Sequence, residues 1–455
     1  MSLKRAQHQR VAPIRGGLSM RCANKRHLSF CRAALSIFVM LAGLTSGALA
    51  QEQTTQQLRL PQRASTQSYD QRWQATFDSS INYTVAKTSG VSAFFGDTRT
   101  RQVQTPIGFA LTGRPNELWK IDLGMRGSYV DVTQKNNLSS VNFSGFLDTS
   151  LTSAATYYGF SGFQPFVSLN MNLPTGRTNF AGSASGGAKP DPDIFQIAGF
   201  GEGLNVGPTV GVSIPLSQSS VVSFAVGETL RGQFTRDDVG FGIGPGSGLT
   251  EQLRPGDVTT LTATYGYAAG PFSFQAQGAY SWETLTMVDD TPFYKAGNRF
   301  QLSLAAGYAW TEQWSSRLMA SFSHFDKNNI LNPPPPGTYG LEPFNSNNDV
   351  VNVTFDTTYR QGAWSVGPTA GLMFRQRNGY DPTTFQFVSA KTGWTAGGVA
   401  QYAITNQASL ILRAQHMWLS VDGSPPKSPL FDPGSARPEL RSDAWLLSLG
   451  GTIQF

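Results

Sequence analysis

Hydrophobic and polar residues alternate with a period of two along most of this chain, and no helical period lasts long enough to build a helical domain. The clearest stretch is the last, Ser442 to Phe455, reading S-D-A-W-L-L-S-L-G-G-T-I-Q-F. Trp445, Leu447, Leu449, Gly451, Ile453 and Phe455 share one face of an extended strand there, and Ser448, Gly450, Thr452 and Gln454 share the other. Arg72 to Val85 repeats the pattern, with Trp73, Ala75, Phe77, Ile81, Tyr83 and Val85 opposite Arg72, Gln74, Thr76, Asp78, Ser80 and Asn82. The segment 118–131 sets Trp119, Ile121, Leu123, Met125 and Tyr129 against Lys120, Asp122, Arg126 and Ser128. Similar segments near 101–112, 140–155, 163–174, 205–215, 221–234, 257–269, 271–287, 299–310, 314–325, 350–361, 363–375, 392–404 and 409–420 bring the predicted strands to sixteen.

The connections between them alternate in length. Gly113 to Glu117, Leu216 to Ser219, Ala269-Gly270, Thr311 to Gln313, Gln361-Gly362 and Thr405 to Gln407 read as tight turns, with a longer one around Tyr157 to Gly162. Between the turns lie long polar segments at 86–100, 132–139, 175–204, 235–256, 288–298, 326–349, 376–391 and 421–441. A soluble sandwich or propeller has no need of this asymmetry, whereas a membrane-spanning barrel has short periplasmic turns and long extracellular loops. Trp73, Trp119, Trp310, Trp314 and Trp364 fall within a few residues of predicted periplasmic strand ends, and Tyr157, Tyr158, Phe160 and Phe163 cluster at the longer turn. Amphipathic rings prefer the headgroup layer, so these positions predict an aromatic girdle.

The fold class expected is therefore all-β, a transmembrane antiparallel β-barrel of about sixteen strands. An unpaired backbone group in hydrocarbon costs several kcal/mol, so the last strand, 442–455, is expected to pair with the first, 72–85. A barrel of that size encloses water. A chain that ends on an aromatic residue straight out of such a strand resembles the closing strand of bacterial outer-membrane β-barrels. That resemblance implies that Phe455 is a targeting signal for the barrel-assembly machinery.

Residues 1–50 hold eight basic residues and no acidic one, then the apolar run Ala33 to Leu44 and the small-residue site Ala48-Leu49-Ala50. This predicts a signal peptide over 1–50, with Met20 as an alternative start to Met1. Residues 51–71 are Gln-rich and predict a flexible periplasmic segment, with the barrel spanning 72–455. Eight of the 35 Lys and Arg lie in the leader, so 27 basic residues face 29 acidic ones in the remainder. The apparent basicity belongs to the address, and no nucleic-acid partner is expected. Both cysteines, Cys22 and Cys31, also lie in the leader, which leaves no disulfide framework.

Soluble-enzyme chemistry finds no foothold, and neither an enzyme nor a cofactor is expected. Beyond the leader only His324 and His416 remain, both at predicted lipid-facing or rim positions, with no cysteine to join them at a metal. Gly240 to Gly248 is Gly-rich but lacks the Lys-Ser/Thr of a phosphate loop. Asp191 and Asp193, in K-P-D-P-D, read as solvated loop acids, or as carboxylates that could hold a hard cation with loop carbonyls. Glu228 shares parity with Val222, Phe224, Val226 and Leu230, which points a carboxylate at lipid unless a bulge at Gly227 turns it inward.

Inward-facing charges carry more information. Strand parity and direction place Arg72, Lys120, Arg317, Arg360 and Arg413 near the periplasmic mouth, and Asp78, Arg126, Asp148 and Asp356 near mid-height. Asp122, Arg231 and Glu283 complete the lumen-lining candidates. They read either as a basic vestibule below a mixed-charge waist, which sets ion preference, or as charges that pair and solvate a wet lumen.

The strand ending L-N-M-N-L-P-T-G, Leu169 to Gly176, and the long loop after it resemble a family of outer-membrane transporters found with aromatic-compound degradation pathways. The resemblance covers 163–234 and implies small organic solutes as cargo. Loop 175–204, rich in Gly and Ala, is the segment expected to fold into the lumen and narrow it. The function expected is an outer-membrane channel for passive diffusion of small solutes, with outer-membrane lipids as its surroundings. An adhesin or structural barrel with a blocked lumen, acting through loops such as Asn332 to Gly337, is the alternative.

Overall fold

The computed structural model describes residues 73–90, 97–137, 140–176, 191–195, 201–237, 250–331, 339–382, 384, 386–423 and 439–455. Arg72, the leader, the segment 51–71, Gly240 to Gly248 and Asn332 to Gly337 lie outside the described residues.

Strand β1 is Trp73–Ser89, β2 Thr98–Asn116 and β3 Trp119–Lys135. The next stave is broken into β4 Ser140–Phe146 and β5 Thr149–Tyr157. Then come β6 Gln164–Leu173, β7 Asn205–Pro215, β8 Ser220–Arg231 and the short β9 Phe234–Asp237 and β10 Thr250–Arg254. After β11 Val258–Ala269 and β12 Phe272–Glu283 follow the short β13 Thr286–Val288 and β14 Thr291–Lys295. β15 Arg299–Ala309 and β16 Trp314–Phe325 precede the short β17 Asn329–Leu331 and β18 Tyr339–Leu341. The chain ends with β19 Val350–Gln361, β20 Trp364–Arg375, β21 Lys391–Ala403, β22 Ala408–Val421 and β23 Leu440–Gln454.

Every long strand pairs antiparallel with its neighbours, and β23 returns to β1 in the register Ile81 opposite Leu449. Phe455 extends the seam, its N–H donating to Ala75 O at 2.9 Å and its own carbonyl accepting from Ala75 N at 3.2 Å. The main sheet has seventeen strands, of which β4 and β5 share one stave, so sixteen staves close the barrel. Closure leaves no strand edge to hydrocarbon.

The alternation sets the two faces. Phe77, Ile81, Met125, Val210, Phe224, Leu261, Leu412 and Leu449 are exposed on the outside, where lipid takes the place of water. Aromatic residues at the short-turn end pair across strands at Trp119–Tyr157, Trp314–Tyr359 and Trp364–Tyr402 and along the chain at Tyr308–Trp310, with rings 4.5–5.0 Å apart. Trp310 Nε1 donates to Ser316 Oγ at 2.9 Å, so an outward-facing ring keeps its polar atom satisfied. The tight turns are made where Gly270 and Gly362 take φ of 55° and 57°, a region that side-chain-bearing residues avoid.

Two features depart from simple alternation. The register between β3 and its partner stave slips by one residue at Leu147-Asp148, from Tyr129 opposite Phe146 to Arg126 opposite Ser150. This bulge frees Asp148 from the ladder. In addition β9, β10, β13, β14, β17 and β18 form a separate six-stranded sheet beyond the long-loop ends of β8, β11, β12, β15 and β16. Side chains take over the peptide groups where the wall breaks: Asp257 accepts from Arg231 N at 2.8 Å, Thr284 from Asp257 N at 2.7 Å and Asn328 from Gly297 N at 2.8 Å. Without such partners each break would leave peptide groups of the ladder unpaired.

Glu228 stays on the outer face. The register of β8 is unbroken against both β7 and β11, so no bulge at Gly227 turns the carboxylate inward. It lies three residues from the long-loop end of β8, where the cost of a charge is far below that at mid-membrane.

Candidate functional site: a latch inside the extracellular mouth

The inner wall at the long-loop end carries an apolar patch and two cations. Ala86 on β1, Val350 on β19, Met373 on β20, Met417 and Leu419 on β22 and Ala444 on β23 sit on the strand faces opposite the exposed apolar ones. A soluble lumen would leave them wet. Instead Ile194 and Phe195, from the long loop between β6 and β7, pack against them and are 3% exposed each. Burying two such side chains contributes on the order of 1.5–3 kcal/mol each.

The segment Asp191 to Phe195 is one tight turn. Asp191 O accepts from Ile194 N at 3.1 Å and Phe195 N at 2.8 Å, and Asp191 Oδ1 accepts from Asp193 N at 3.0 Å. Pro192 presets the backbone for such a turn, and the Asp191 side chain closes it. The turn sends both carboxylates to one side. Lys391 Nζ, at the start of β21, donates to Asp191 at 2.8 and 3.0 Å and to Asp193 at 3.0 Å, and Arg375 Nη2, at the end of β20, donates to Asp193 Oδ1. The Asp193 side chain is 2% exposed, so neither the solvated reading of these acids nor a loop-carbonyl cation site describes them. Protein cations satisfy them.

Both roots of the same loop are held by Asp148. Its carboxylate accepts from Gly176 N at 2.7 Å, Glu202 N at 2.9 Å and Asn172 Nδ2 at 2.8 Å, and the residue is 7% exposed. The bulge at Leu147-Asp148 is what aims it there. Crowding by the wall raises the Glu202 carboxyl above its ordinary value, although the residue is exposed as a whole. The Arg231 guanidinium opposes that shift, and the Asp148 carboxylate adds to it.

The remaining lumen candidates are spread round the wall. Asp78, Lys120, Asp122, Arg126, Arg231, Glu283, Arg317, Asp356, Arg360 and Arg413 all have the parity opposite to the exposed apolar residues of their strands. Lys120 Nζ pairs with Asp122 at 2.8 Å and Thr112 also donates to that carboxylate, so the first of the short-turn cations is neutralised locally. Arg231 pairs with Glu283 at 3.3 Å at the long-loop end. Asp78 finds room because Gly108 faces it: a Cβ there would come within 2.5 Å of the carboxylate. Arg317 stands directly opposite Asp356 in the β16–β19 register.

Sequence reasoning missed Arg375 and Lys391 as site residues. A signal was present: D-P-D-I-F sets two acids directly beside two bulky apolar residues in a loop otherwise rich in Gly and Ala. The two histidines do not meet. His324 Nδ1 lies 2.7 Å from Asp349 Oδ1, and His416 packs between the Trp418 and Trp445 rings at 4.3 and 4.6 Å.

A closed antiparallel barrel, apolar and girdled outside and polar within, is the architecture of bacterial outer-membrane channels and transporters, and this chain is an outer-membrane β-barrel. No protein-family model matches the chain, and no curated protein matches it in sequence. Among solved structures it is similar to a Pseudomonas aeruginosa FadL homologue, with 8% identity, a TM-score of 0.41, and 84% of this chain and 90% of that one covered. OccAB1 of Acinetobacter baumannii gives 7% identity, a TM-score of 0.41 and coverage of 84% and 97%. An outer-membrane channel from Pseudomonas putida gives 11%, 0.35, and coverage of 57% and 93%.

Proposed function

We propose that this barrel is a channel for passive diffusion of small solutes across the outer membrane, narrowed at its extracellular mouth by Asp191–Phe195. The observation that carries the reading is the segregation of faces: charged and polar side chains line the inside of a sixteen-stave wall, a size that encloses water. The inward cations Arg360 and Arg413 support a basic vestibule at the short-turn end, with weak anion preference. Partners on this reading are small solutes, the lipids against the apolar belt, and the assembly machinery that reads Phe455. Stable open steps of the refolded protein in a planar bilayer, with reversal potential taken across a salt gradient, test it. A folded barrel without conductance overturns it.

One observation favours a second reading. Asp191–Phe195 pairs with Arg375 on β20 and Lys391 on β21 and shares one apolar cluster with inward residues of β19, β20, β22, β23 and β1, so a barrel closed at the mouth that acts through its outer surface as an adhesin or structural element is the alternative. Solute flux separates the two.

A further inference from the structure

We propose that Arg375, Lys391 and the apolar patch beside them form a binding site for small amphipathic carboxylates, and that Asp191–Phe195 is its internal occupant, displaced when such a solute arrives. The inference deepens the channel reading and takes its physiological sense from it.

Arg375 and Lys391 face each other directly across β20 and β21. Like charges so placed repel, so this part of the wall requires an anion. The loop supplies two carboxylates to the cations and a phenyl ring and an isoleucine side chain to Met373, Met417, Leu419 and Val350. A free molecule with a carboxylate on an apolar body offers the same two features in one small frame.

The occupancy by the loop is incomplete. Among the described residues Arg375 Nε is buried without a hydrogen-bond partner, because one oxygen of Asp193 takes Nη2 and the other goes to Lys391. A carboxylate free to rotate engages both edges of a guanidinium through paired N–H donors, the stronger arrangement. The apolar wall can adapt to different bodies. Gly393 lies beneath it, where a Cβ would meet Met417 Cε at 3.2 Å, Leu419 Cδ1 at 3.3 Å and Met373 Cε at 3.4 Å, and methionine side chains repack readily.

The test is calorimetric titration of the full, detergent-refolded protein with phenylacetate and with its neutral amide, phenylacetamide. Phenylacetate is expected to bind at least about tenfold more tightly, since the amide cannot answer the two cations. Asp193→Asn, which weakens the internal competitor, is expected to tighten phenylacetate binding several-fold, and Arg375→Gln with Lys391→Gln to abolish it. Heat-modifiable mobility shows which variants are folded, and Phe195→Ala serves as a second competitor-weakening variant. Equal binding of acid and amide, or an affinity unmoved by Asp193→Asn and Phe195→Ala, overturns the proposal. Conductance of the same preparations keeps the two readings apart: a pore that binds no phenylacetate removes this site and leaves the channel, and binding without conductance does the reverse.

Discussion

Lys391 Nζ stands 2.8 Å from a carboxylate oxygen of Asp191 and 3.0 Å from one of Asp193, residues that precede it by 200 and 198 positions. The contact ties a loop rooted between β6 and β7 to the inner ends of β20 and β21, and it fixes where the mouth is narrowed.

Reversing this latch has a defined cost. In Lys391→Glu the Asp193 carboxylate, 2% exposed, loses one partner and gains a repelling neighbour, a change on the order of 3–5 kcal/mol for a buried pair. Single-channel recordings are expected to show larger or longer open steps. The exchange Asp193→Lys with Lys391→Asp is expected to return them toward the parent, and identical traces for all three proteins would show that the segment does not narrow the pore.

Asp148→Ala removes the acceptor for Asn172 Nδ2, Gly176 N and Glu202 N together, each worth about 1.5–3 kcal/mol as a bond to a charged group. Limited proteolysis between residues 176 and 202 is expected to accelerate at least about tenfold while the barrel keeps its heat-modifiable mobility. Unchanged cleavage would mean that the roots are held by something else.

The same roots carry a pH dependence. Glu202 is raised above its ordinary 4.5, so the folded state holds the proton more tightly than the unfolded chain. The contribution of Glu202 is then fully present below that ordinary value and is lost as pH rises through the raised folded value. Hydrogen exchange near residue 202 should quicken over that window, and Glu202→Gln should flatten the profile.

Closure is testable at Gly450, which pairs with Ser80 across the β1–β23 seam. A Cβ there would lie 2.9 Å from Ser79 O and 2.8 Å from Ser80 Cβ. Gly450→Val is expected to cost roughly 1–3 kcal/mol through overpacking. Less heat-modifiable protein should be recovered on refolding, whereas Gly278→Val, where a Cβ meets nothing within 4 Å among the described residues, serves as the control.

Ion preference tests the vestibule. Arg360→Glu and Arg413→Glu are expected to move the reversal potential toward cation selectivity. A potential equal to the parent's in both variants would confine those charges to solvating the wall.

The barrel itself was written in the order of residues. Alternation is a property of a single strand, so Trp73 to Val85 and Trp445 to Phe455 disclosed their two faces without any knowledge of neighbours. Turn length disclosed which ends meet, and the rings at Trp119, Trp310, Trp314 and Trp364 disclosed one edge of the membrane. What tertiary structure alone decided depends on contacts between distant segments. The one-residue slip that frees Asp148 leaves 140–155 reading as a single strand, because a bulge is visible only against its partner. The outer sheet of β9, β10, β13, β14, β17 and β18 is built from pieces of three to five residues, too short for periodicity to register. Asp191 and Asp193 look like solvated loop acids until closure of the wall carries Arg375 and Lys391 to them, since the sign and distance of a charge partner are set by the fold and not by the loop that bears the acid.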